Sequence, residues 1–444
     1  MSDIQLAINH ITEYKDGYNK AEAYYEGNQD EVFASRRWQR IFRGDKVDFQ
    51  FNYTRTVVDS VLNRLELASV NTPVEQANQL LNTMLEQDDI EMDINEIHRR
   101  ALVYGDAYAI VWPDEDGVVA IDYNSPLTTG VIYDSENPRK KSFGFKMWQS
   151  SDEMGRPEVK LNIYYADRIE KYVSKGELDF ITSSTGFNFV ESVVNPWGEI
   201  PVFHFRTTKQ YGRPEHADAI GPQDAINKLV ATHMYTVDYQ GAPQRYALSS
   251  GGNDAEFEDF DNDAAARENL GALKNGPGEL WYLKGITQVG QFAPADPKVF
   301  TEPIKDFIRG MASLTSTPLH YFEATGNVPS GEALRTAEAP LIKKVTDRQT
   351  SFGSTWRDLF AFMLRIEGIS TDVEVNWQFV ESMDSLDAWE VAIKKSMVGI
   401  PLLQILLEMG YDLEIAQQIV DRATPSVNLT QGMNTNNAIL QNGI

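Results

Sequence analysis

The stretch SGEALRTAEAPLIKKVTDRQTSFGSTWRDLFAFMLRIE, residues 330–367, constrains the fold more than any other part of the sequence. Its apolar residues recur at three- and four-residue spacing, which places them on one face of an α-helix. Ser330 is a good N-cap, and Glu332 is an acidic residue in the first turn. Over about 30 residues such a helix reaches roughly 45 Å. We expect a kink at Pro340, because proline lacks the amide hydrogen that a helix interior requires. The apolar stripe consists of Leu334, Ala337, Leu341, Val345, Phe352, Trp356, Leu359 and Met363.

Two shorter helices before this stretch enclose an insertion. The first is predicted over 220–240, with Pro222 in the first turn, where proline is well tolerated. The second is predicted over 300–314 and is ended by Thr317-Pro318. The insertion, 243–297, is rich in glycine, aspartate and proline. Its strand-like pieces are 245–248 and 279–283.

The first half of the chain changes from helical to β-rich near residue 107. Helical spacing is found at 4–24, 57–65 and 74–104. Between there and residue 205, alternating or β-branched runs are separated by turn residues, which predicts mostly antiparallel strands. Together with the helices, these runs predict an α+β fold. The predicted strands are 107–112, 118–123, 144–148, 159–165, 169–173, 202–205 and, later, 373–379; the predicted C-terminal helices are 386–397, 401–409 and 413–423.

Length and composition exclude several classes of protein. The 444 residues predict two to four packed units, and the formal net charge of −25 comes from 40 basic and 65 acidic residues. Such an acidic surface repels phosphate, which argues against a protein whose function is to grip nucleic acid. The absence of cysteine excludes disulfides and thiolate metal sites and fits a reducing cytoplasm. With no signal peptide and no apolar run near ~18 residues, a soluble chain is expected.

Motifs of enzymes and cofactor sites are absent from the sequence. It contains no phosphate-binding GxxxxGK[ST] loop, no GxGxxG and no GxSxG turn, and its six histidines never form an HExxH pattern. We therefore expect no cofactor and assign the histidines to core or surface positions. Asp259, Asp261 and Asp263 have the spacing of a calcium loop, but Ala264 and Leu270 stand where glycine and glutamate are needed. We interpret this segment as a solvated acidic loop.

Several short motifs, in their order and spacing, resemble the portal proteins of tailed double-stranded DNA bacteriophages. The resemblance covers roughly 20–425 and includes the succession of helices, β-rich part, insertion, long helix and C-terminal helices. The acidic insertion and Pro340 depart from the family pattern. The motifs are YYEGN (24–28), NYTRTVVD (52–59), VYGDAY (103–108), LTSTP (314–318) and SGEAL (330–334).

The resemblance implies a portal fold with named parts and a role as a structural protein rather than an enzyme. A ring of twelve subunits would occupy one capsid vertex in the virion after assembly in the host cytoplasm. Double-stranded DNA would pass through the ring without sequence-specific contacts. The implied parts are the wing (1–217, with 368–383 returning to it), stem helices (218–241 and 298–316), clip (242–297), tunnel loop (317–329), long helix (330–367), crown (384–423) and a flexible tail (424–444).

The implied partners are the terminase large subunit and a head-completion adaptor, which dock on the clip, and the major capsid and scaffolding proteins. A membrane is not among them. The candidates for DNA contact in the channel are His320, Tyr321, Glu323, Asn327, Lys228, Lys305 and Arg309. The candidates for docking in the clip are Asp254, Glu256, Glu258, Asp259, Asp261 and Asp263.

Alternatives remain open for individual residues and for the whole chain. The three stem cations have a second interpretation as ion-pair partners of acids on an adjacent subunit, such as Asp224 or Asp306. Tyr321 and Phe322 have a second interpretation as packing residues, which we favour for Phe322. For the chain, one alternative is a metal-dependent enzyme that acts on nucleic acid through acids such as those at 254–263. Another is a capsid or neck structural protein other than a portal.

Overall fold

The structure is a computed structural model that describes residues 2–29, 51–85, 90–113, 117–240, 245–249, 286–291, 296, 298–323, 331–378, 380, 385–409, 411 and 415–422. Helices and antiparallel strands are both abundant, as the α+β prediction requires. The helices are α1 (Asp3–Glu26), α2 (Tyr53–Leu62), α3 (Glu75–Leu85), α4 (Ile90–Tyr104), α5 (Ile220–Gln240), α6 (Lys298–Thr315), α7 (Gly331–Ile366), α8 (Ser385–Met397) and α9 (Leu402–Glu408). Residues 415–422 are also helical. In the described residues, no helix combines the length and apolar character needed to cross a membrane.

The strands form four antiparallel sheets. A three-stranded sheet has the order β3-β2-β9, and a five-stranded sheet has the order β4-β5-β6-β7-β8. The two remaining sheets are the pairs β1-β12 and β10-β11. The strands are β1 (Leu67–Asn71), β2 (Asp106–Pro113), β3 (Val119–Asn124), β4 (Thr129–Tyr133), β5 (Lys141–Ser151), β6 (Pro157–Tyr164), β7 (Arg168–Lys175), β8 (Asn188–Val194), β9 (Val202–Arg206), β10 (Arg245–Ser249), β11 (Ile286–Gln291) and β12 (Glu374–Trp377).

The chain divides into two compact units. The first contains 1–29, 52–219 and 314–444, and the second contains 30–51 and 220–313. In the first unit the main core lies between α7, α4 and the three-stranded sheet, and Trp356 of α7 is fully buried there. A second cluster packs α1 against the five-stranded sheet, and Ile8 and Phe145 are among its buried members.

The second unit is held together by contacts of α5. The ring of His233 stacks on Phe300 of α6, with ring centroids 5.2 Å apart. Near the start of α5, the side chain of Gln223 donates to the carbonyl of Phe51 at 2.6 Å, and Asn227 Oδ1 accepts from the Phe51 amide at 3.2 Å. These bonds fix residue 51 beside the first turns of α5.

The long helix is confirmed almost to the residue. The prediction was 330–367, and the helix runs from Gly331 to Ile366, with Pro340 inside it. The kink at Pro340 stays a prediction. Ala337 and Leu334 of the predicted stripe are not buried, whereas Leu341, Val345, Phe352, Trp356, Leu359 and Met363 are. The buried stripe therefore begins just after the proline.

Four strands were missed by the sequence-based prediction, and one predicted helix is divided in two. The strands β1, β4, β8 and β11 were not predicted. The helix predicted over 74–104 is described as α3 and α4, and 86–89 lie outside the described residues. The strand predicted at 245–248 is β10, which pairs with β11, whereas 279–283 lie outside the described residues.

Candidate functional site

The predicted tunnel loop begins inside the core of the first unit. Thr317 is 1% exposed and Phe322 is 8% exposed, and Leu319–Tyr321 form a single 3₁₀ turn. The ring of Phe322 packs edge-on against Tyr53 of α2, with centroids 5.9 Å apart. Phe322 is thus a packing residue, as we favoured. We call 317–323 the loop base; it is anchored, and 324–330 lie outside the described residues.

A group of polar contacts fastens the loop base to α7. Arg64 Nη2 lies 3.3 Å from Glu338 Oε1, and both side chains are largely buried. His320 Nε2 approaches the same carboxylate oxygen at 3.6 Å. The Arg64 guanidinium also lies over the ring of Tyr321, 5.6 Å from its centroid, a cation–π contact. His320 and Tyr321 are therefore held by protein partners in the structure of the single chain.

The last candidate in the loop base is Glu323. Its amide donates to the carbonyl of Leu319 at 3.2 Å. Its Oε1 is buried and has no hydrogen-bond partner among the described residues. Burial, and to a lesser extent the charge of Glu323, raises the pKa of the nearby Tyr53 phenol. Asn327, the remaining loop candidate, lies outside the described residues.

A buried ion-pair network of three residues anchors the next part of α7. Glu215 accepts from Lys344 Nζ through Oε1 and from Arg348 Nε through Oε2, each at 2.7 Å. Lys344 also donates to the carbonyl of Thr315, and Arg348 to that of Thr207, again at 2.7 Å. Burial would raise the pKa of Glu215, but the two cations outweigh it and hold the pKa below its usual range. The carboxylate is therefore ionised and fixes α7 to the chain on either side of it.

The three candidate cations of the stem helices lie on exposed surfaces of the second unit. Arg309 Nη1 contacts Asp306 Oδ1 at 3.2 Å, and Lys305 Nζ lies 3.9 Å from Glu302 Oε1. Each pair lies on one face of α6, three residues apart, and all four side chains are more than half exposed. Lys228 is exposed on α5. The acid that we considered as a partner from another subunit, Asp306, thus pairs within its own helix.

The comparison with known proteins decides the family. The family described as "Phage portal protein, SPP1 Gp6-like" matches residues 4–419. The chain belongs to this portal family. Among curated proteins, it is 24% identical over 330 residues to a portal protein of Mycobacterium phage D29 and 28% identical over 148 residues to one of Mycobacterium phage L5. These matches cover 71% and 32% of the chain, and 64% and 28% of the relatives, so it spans less than two thirds of either.

Solved structures with a similar course of the chain come from gene transfer agent particles. One is from the neck of a native particle with C12 symmetry, with a TM-score of 0.44 and 12% identity over 86% of this chain and 94% of that one. Another is from a native virion, with a TM-score of 0.42 and 14% identity over 84% of this chain and 92% of that one.

One buried network of the portal chain was missed by the sequence reading. Asp106, fully buried, accepts three hydrogen bonds: from His204 Nε2 at 2.7 Å, from the Tyr18 hydroxyl at 2.8 Å and from the Gly212 amide at 2.6 Å. His204 Nδ1 in turn accepts from the Tyr133 hydroxyl at 2.9 Å. Burial outweighs the pairing with Asp106 and lowers the pKa of His204. The network joins α1, β2, β4 and β9. Because Tyr18, Asp106 and His204 are buried, it is not placed to act on a dissolved substrate.

The signal for this network was present in the VYGDAY motif. Gly105 has a φ of +93°, which only glycine adopts without strain, and it turns the chain from α4 into Asp106. A Cβ on Gly212 would collide with the carbonyl of Gly105. The two glycines therefore allow the backbones to approach closely enough for Asp106 to reach the Gly212 amide. The VYGDAY motif, which resembles the family, thus contains residues that the local structure requires.

The candidates in the predicted clip are not placed. Within the described residues there is no group of three or more histidine, aspartate or glutamate side chains arranged to hold a metal ion. The acidic segment that prompted the metal and docking hypotheses lies outside that part of the chain. Its residues are Asp254, Glu256, Glu258, Asp259, Asp261 and Asp263.

Proposed function

We propose that this chain forms a portal ring of twelve subunits at one capsid vertex, through which double-stranded DNA is packaged and later ejected. The proposal is carried by the family match over residues 4–419. Portal proteins are structural components of phage particles, and the mycobacteriophage relatives are named accordingly. A closed ring follows from repeated head-to-tail contacts between identical subunits.

Each part of the chain has a proposed position in that ring. The described helices α5 and α6 bracket residues 241–297, which is the arrangement that two stem helices around a clip require. The proposed parts are the wing (1–217 and 368–383), stem (218–241 and 298–316), clip (242–297), tunnel loop (317–329), long helix (330–367) and crown (384–423), followed by the tail (424–444).

The charges of the chain suit a conduit that does not retain its cargo. Duplex DNA carries one negative charge per ~1.7 Å, so a surface rich in free cations would bind it and slow its passage. The net charge of −25 opposes such binding. Two of the candidate cations, Lys305 and Arg309, each have a carboxylate nearby on α6. Lys228, Lys305, Arg309, His320, Tyr321, Glu323 and Asn327 remain the proposed channel-facing residues.

The proposed partners bind the clip and the outside of the ring. The clip, with its acidic segment 254–263, would dock the terminase large subunit and later the head-completion adaptor. The major capsid and scaffolding proteins would meet the outside of the ring. We place the chain in the virion, after assembly in the host cytoplasm.

The mass and symmetry of the purified protein test this proposal. Twelve copies of a 50.1 kDa chain total about 600 kDa when they close into a ring. Native mass spectrometry should give that mass, and electron-microscope class averages should show twelvefold symmetry with a central hole. Averages of particles assembled with capsid and scaffolding proteins provide the same readout if the isolated chain stays monomeric. A compact dimer under both conditions would contradict the proposal.

A further inference from the structure

A wide groove in the described part of the chain has no assigned role. It has a volume of about 1170 Å³ and lies in the first unit. The strand β1 forms one wall, α3 and α4 form the others, and Ile415 and Gln417 lie at its margin. All of the lining residues belong to the first unit. We call it the β1 groove.

The wall formed by β1 exposes the edge of a strand. In the described residues β1 pairs with β12 alone, so its other edge has no neighbouring strand. The strand is regular from Ser69 to Asn71, opposite Asn376, Val375 and Glu374, after an irregularity near Leu67. Alternate amides and carbonyls along a free edge are ready to pair with an added strand. All five residues of β1 line the groove.

The side chains around this edge have one sign of charge. Glu66, Glu75 and Glu91 are exposed and line the groove, and none forms an ion pair with another described residue. No lysine, arginine or histidine is among the described lining residues. A negative concave surface of this kind attracts and orients cationic side chains.

Amide side chains supply the remaining polar groups. Asn63, Asn82 and Asn95 are exposed in the groove, and their side chains make no hydrogen bond to another described residue. An amide side chain both donates and accepts, as the backbone of an extended peptide does. Asn78, by contrast, is already used: it bonds the amide and the carbonyl of Thr72 at 2.7 and 2.8 Å, which fixes the end of β1.

From these features we propose that the β1 groove binds an extended, lysine- or arginine-containing segment of a partner protein, which adds to β1 as a third strand. The backbone of the segment pairs with the free edge, and its cationic side chains face the three glutamates. A strand of about five residues matches the length of β1.

A labelled synthetic peptide of ten alternating lysine and valine residues provides the probe. Fluorescence anisotropy on the full-length protein should show saturable binding that weakens with salt. The E66K/E75K/E91K variant should bind the peptide about tenfold more weakly or worse, because three attractions become repulsions. The E136K/E153K/E177K variant has the same net charge and changes exposed glutamates outside the groove, so its affinity should stay within about twofold.

Two further measurements separate strand addition from attraction by charge alone. A peptide of the same sequence with alternate backbone nitrogens methylated keeps its charge but cannot donate along one edge, so its binding should be lost. Amide hydrogen exchange at Leu67–Asn71 should slow when the unmodified peptide binds. The proposal would be overturned if the methylated peptide bound as tightly as the unmodified one, or if the two lysine variants lost peptide affinity equally.

The E66Q/E75Q/E91Q variant should also bind the peptide more weakly than the unchanged protein, and it alters the net charge by half as much as the lysine variant. None of these readouts depends on ring formation, so failure here leaves the portal assignment intact.

Discussion

At the scale of single residues, Glu215 has more effect on the first unit than its position in the sequence suggests. Its carboxylate is almost inaccessible, and it is paired with Lys344 and Arg348, which are themselves about 16–17% exposed. Because those cations also bond the carbonyls of Thr315 and Thr207, one carboxylate organises contacts among three segments.

We expect Glu215→Gln to lower the free energy of unfolding by about 3–5 kcal/mol, because two buried cations lose their counter-charge. Equilibrium unfolding in urea measures this loss. The matched control is Glu199→Gln, which removes a partner of Arg365 on the same helix at 37–43% side-chain exposure. The control should cost about 0–1 kcal/mol, since exposed pairs contribute little. Equal losses in both variants would refute the assignment of Glu215 as a buried anchor.

Such anchors were not predictable from the sequence. Glu215 lies in a stretch without regular spacing, and its partners are more than 120 residues away. Asp106 is similar: the VYGDAY motif marks the position, but nothing local shows that Tyr18, His204 and Gly212 converge on it. The spacing of apolar residues predicts which face of a helix or strand is buried. It does not predict which distant residue will hydrogen-bond to a buried polar side chain, because that depends on the tertiary structure.

At the scale of elements, the loop base changes how the tunnel loop should be tested. Residues 317–323 are built into the core through Thr317 and Phe322 and are tied to α7 through Glu338. A deletion that removed them would mix two effects, the loss of a projecting loop and damage to the fold.

We therefore predict that replacing 324–329 with two glycines leaves ring assembly intact but reduces packaged or retained DNA. Electron microscopy checks the ring, and nuclease-protected DNA in assembled particles checks packaging. The control is Phe322→Ala, which should lower the free energy of unfolding by about 3 kcal/mol because it removes a buried aromatic side chain. If the 324–329 variant forms no ring, or packages normally, this separation of loop and base is wrong.

The success of the sequence reading also differs by element. The helix α7 was located within one residue at each end because its stripe repeats over many turns. The strands β1 and β8 were missed for different reasons. β1 is short and pairs with β12, some 300 residues later, and most of β8 is exposed on both faces, so its sequence does not alternate. Of the candidate site, the sequence indicated the segments but not the protein partners that hold His320 and Tyr321, and it assigned Asp306 to Arg309 across a subunit boundary and not within one helix.

At the scale of the whole molecule, buried neutral histidines make the fold sensitive to acid. Burial lowers the pKa of His10, His98 and His216 to about 4 in each case. His98 is neutral with its proton on Nδ1, since the Trp356 indole donates to Nε2 at 2.8 Å and the Leu65 carbonyl lies 3.0 Å from Nδ1. Unfolded histidines titrate near 6.5, so the unfolded chain binds more protons below that pH.

We expect the free energy of unfolding to fall as the pH drops from about 6.5 towards 4, by roughly 2 kcal/mol per buried histidine at pH 5. Urea unfolding at pH 7 and pH 5 measures the decline. His98→Phe should be less stable at pH 7, because it leaves the Trp356 N–H and the Leu65 carbonyl without partners, but its decline between the two pH values should be smaller. An unchanged decline in that variant would show that His98 does not contribute.

The pairing of β1 with β12 also has a consequence for synthesis of the chain. Residue 71 leaves the ribosome some 300 residues before residue 374, which takes about 15–60 s at the usual speed of translation. During that interval the surfaces that α7 and β12 will cover, including those around Val58 and Phe205, have no partner. The core of the first unit therefore cannot be completed until the last quarter of the chain is made. A premature stop before residue 374 would leave a product that cannot complete this core and is prone to aggregate.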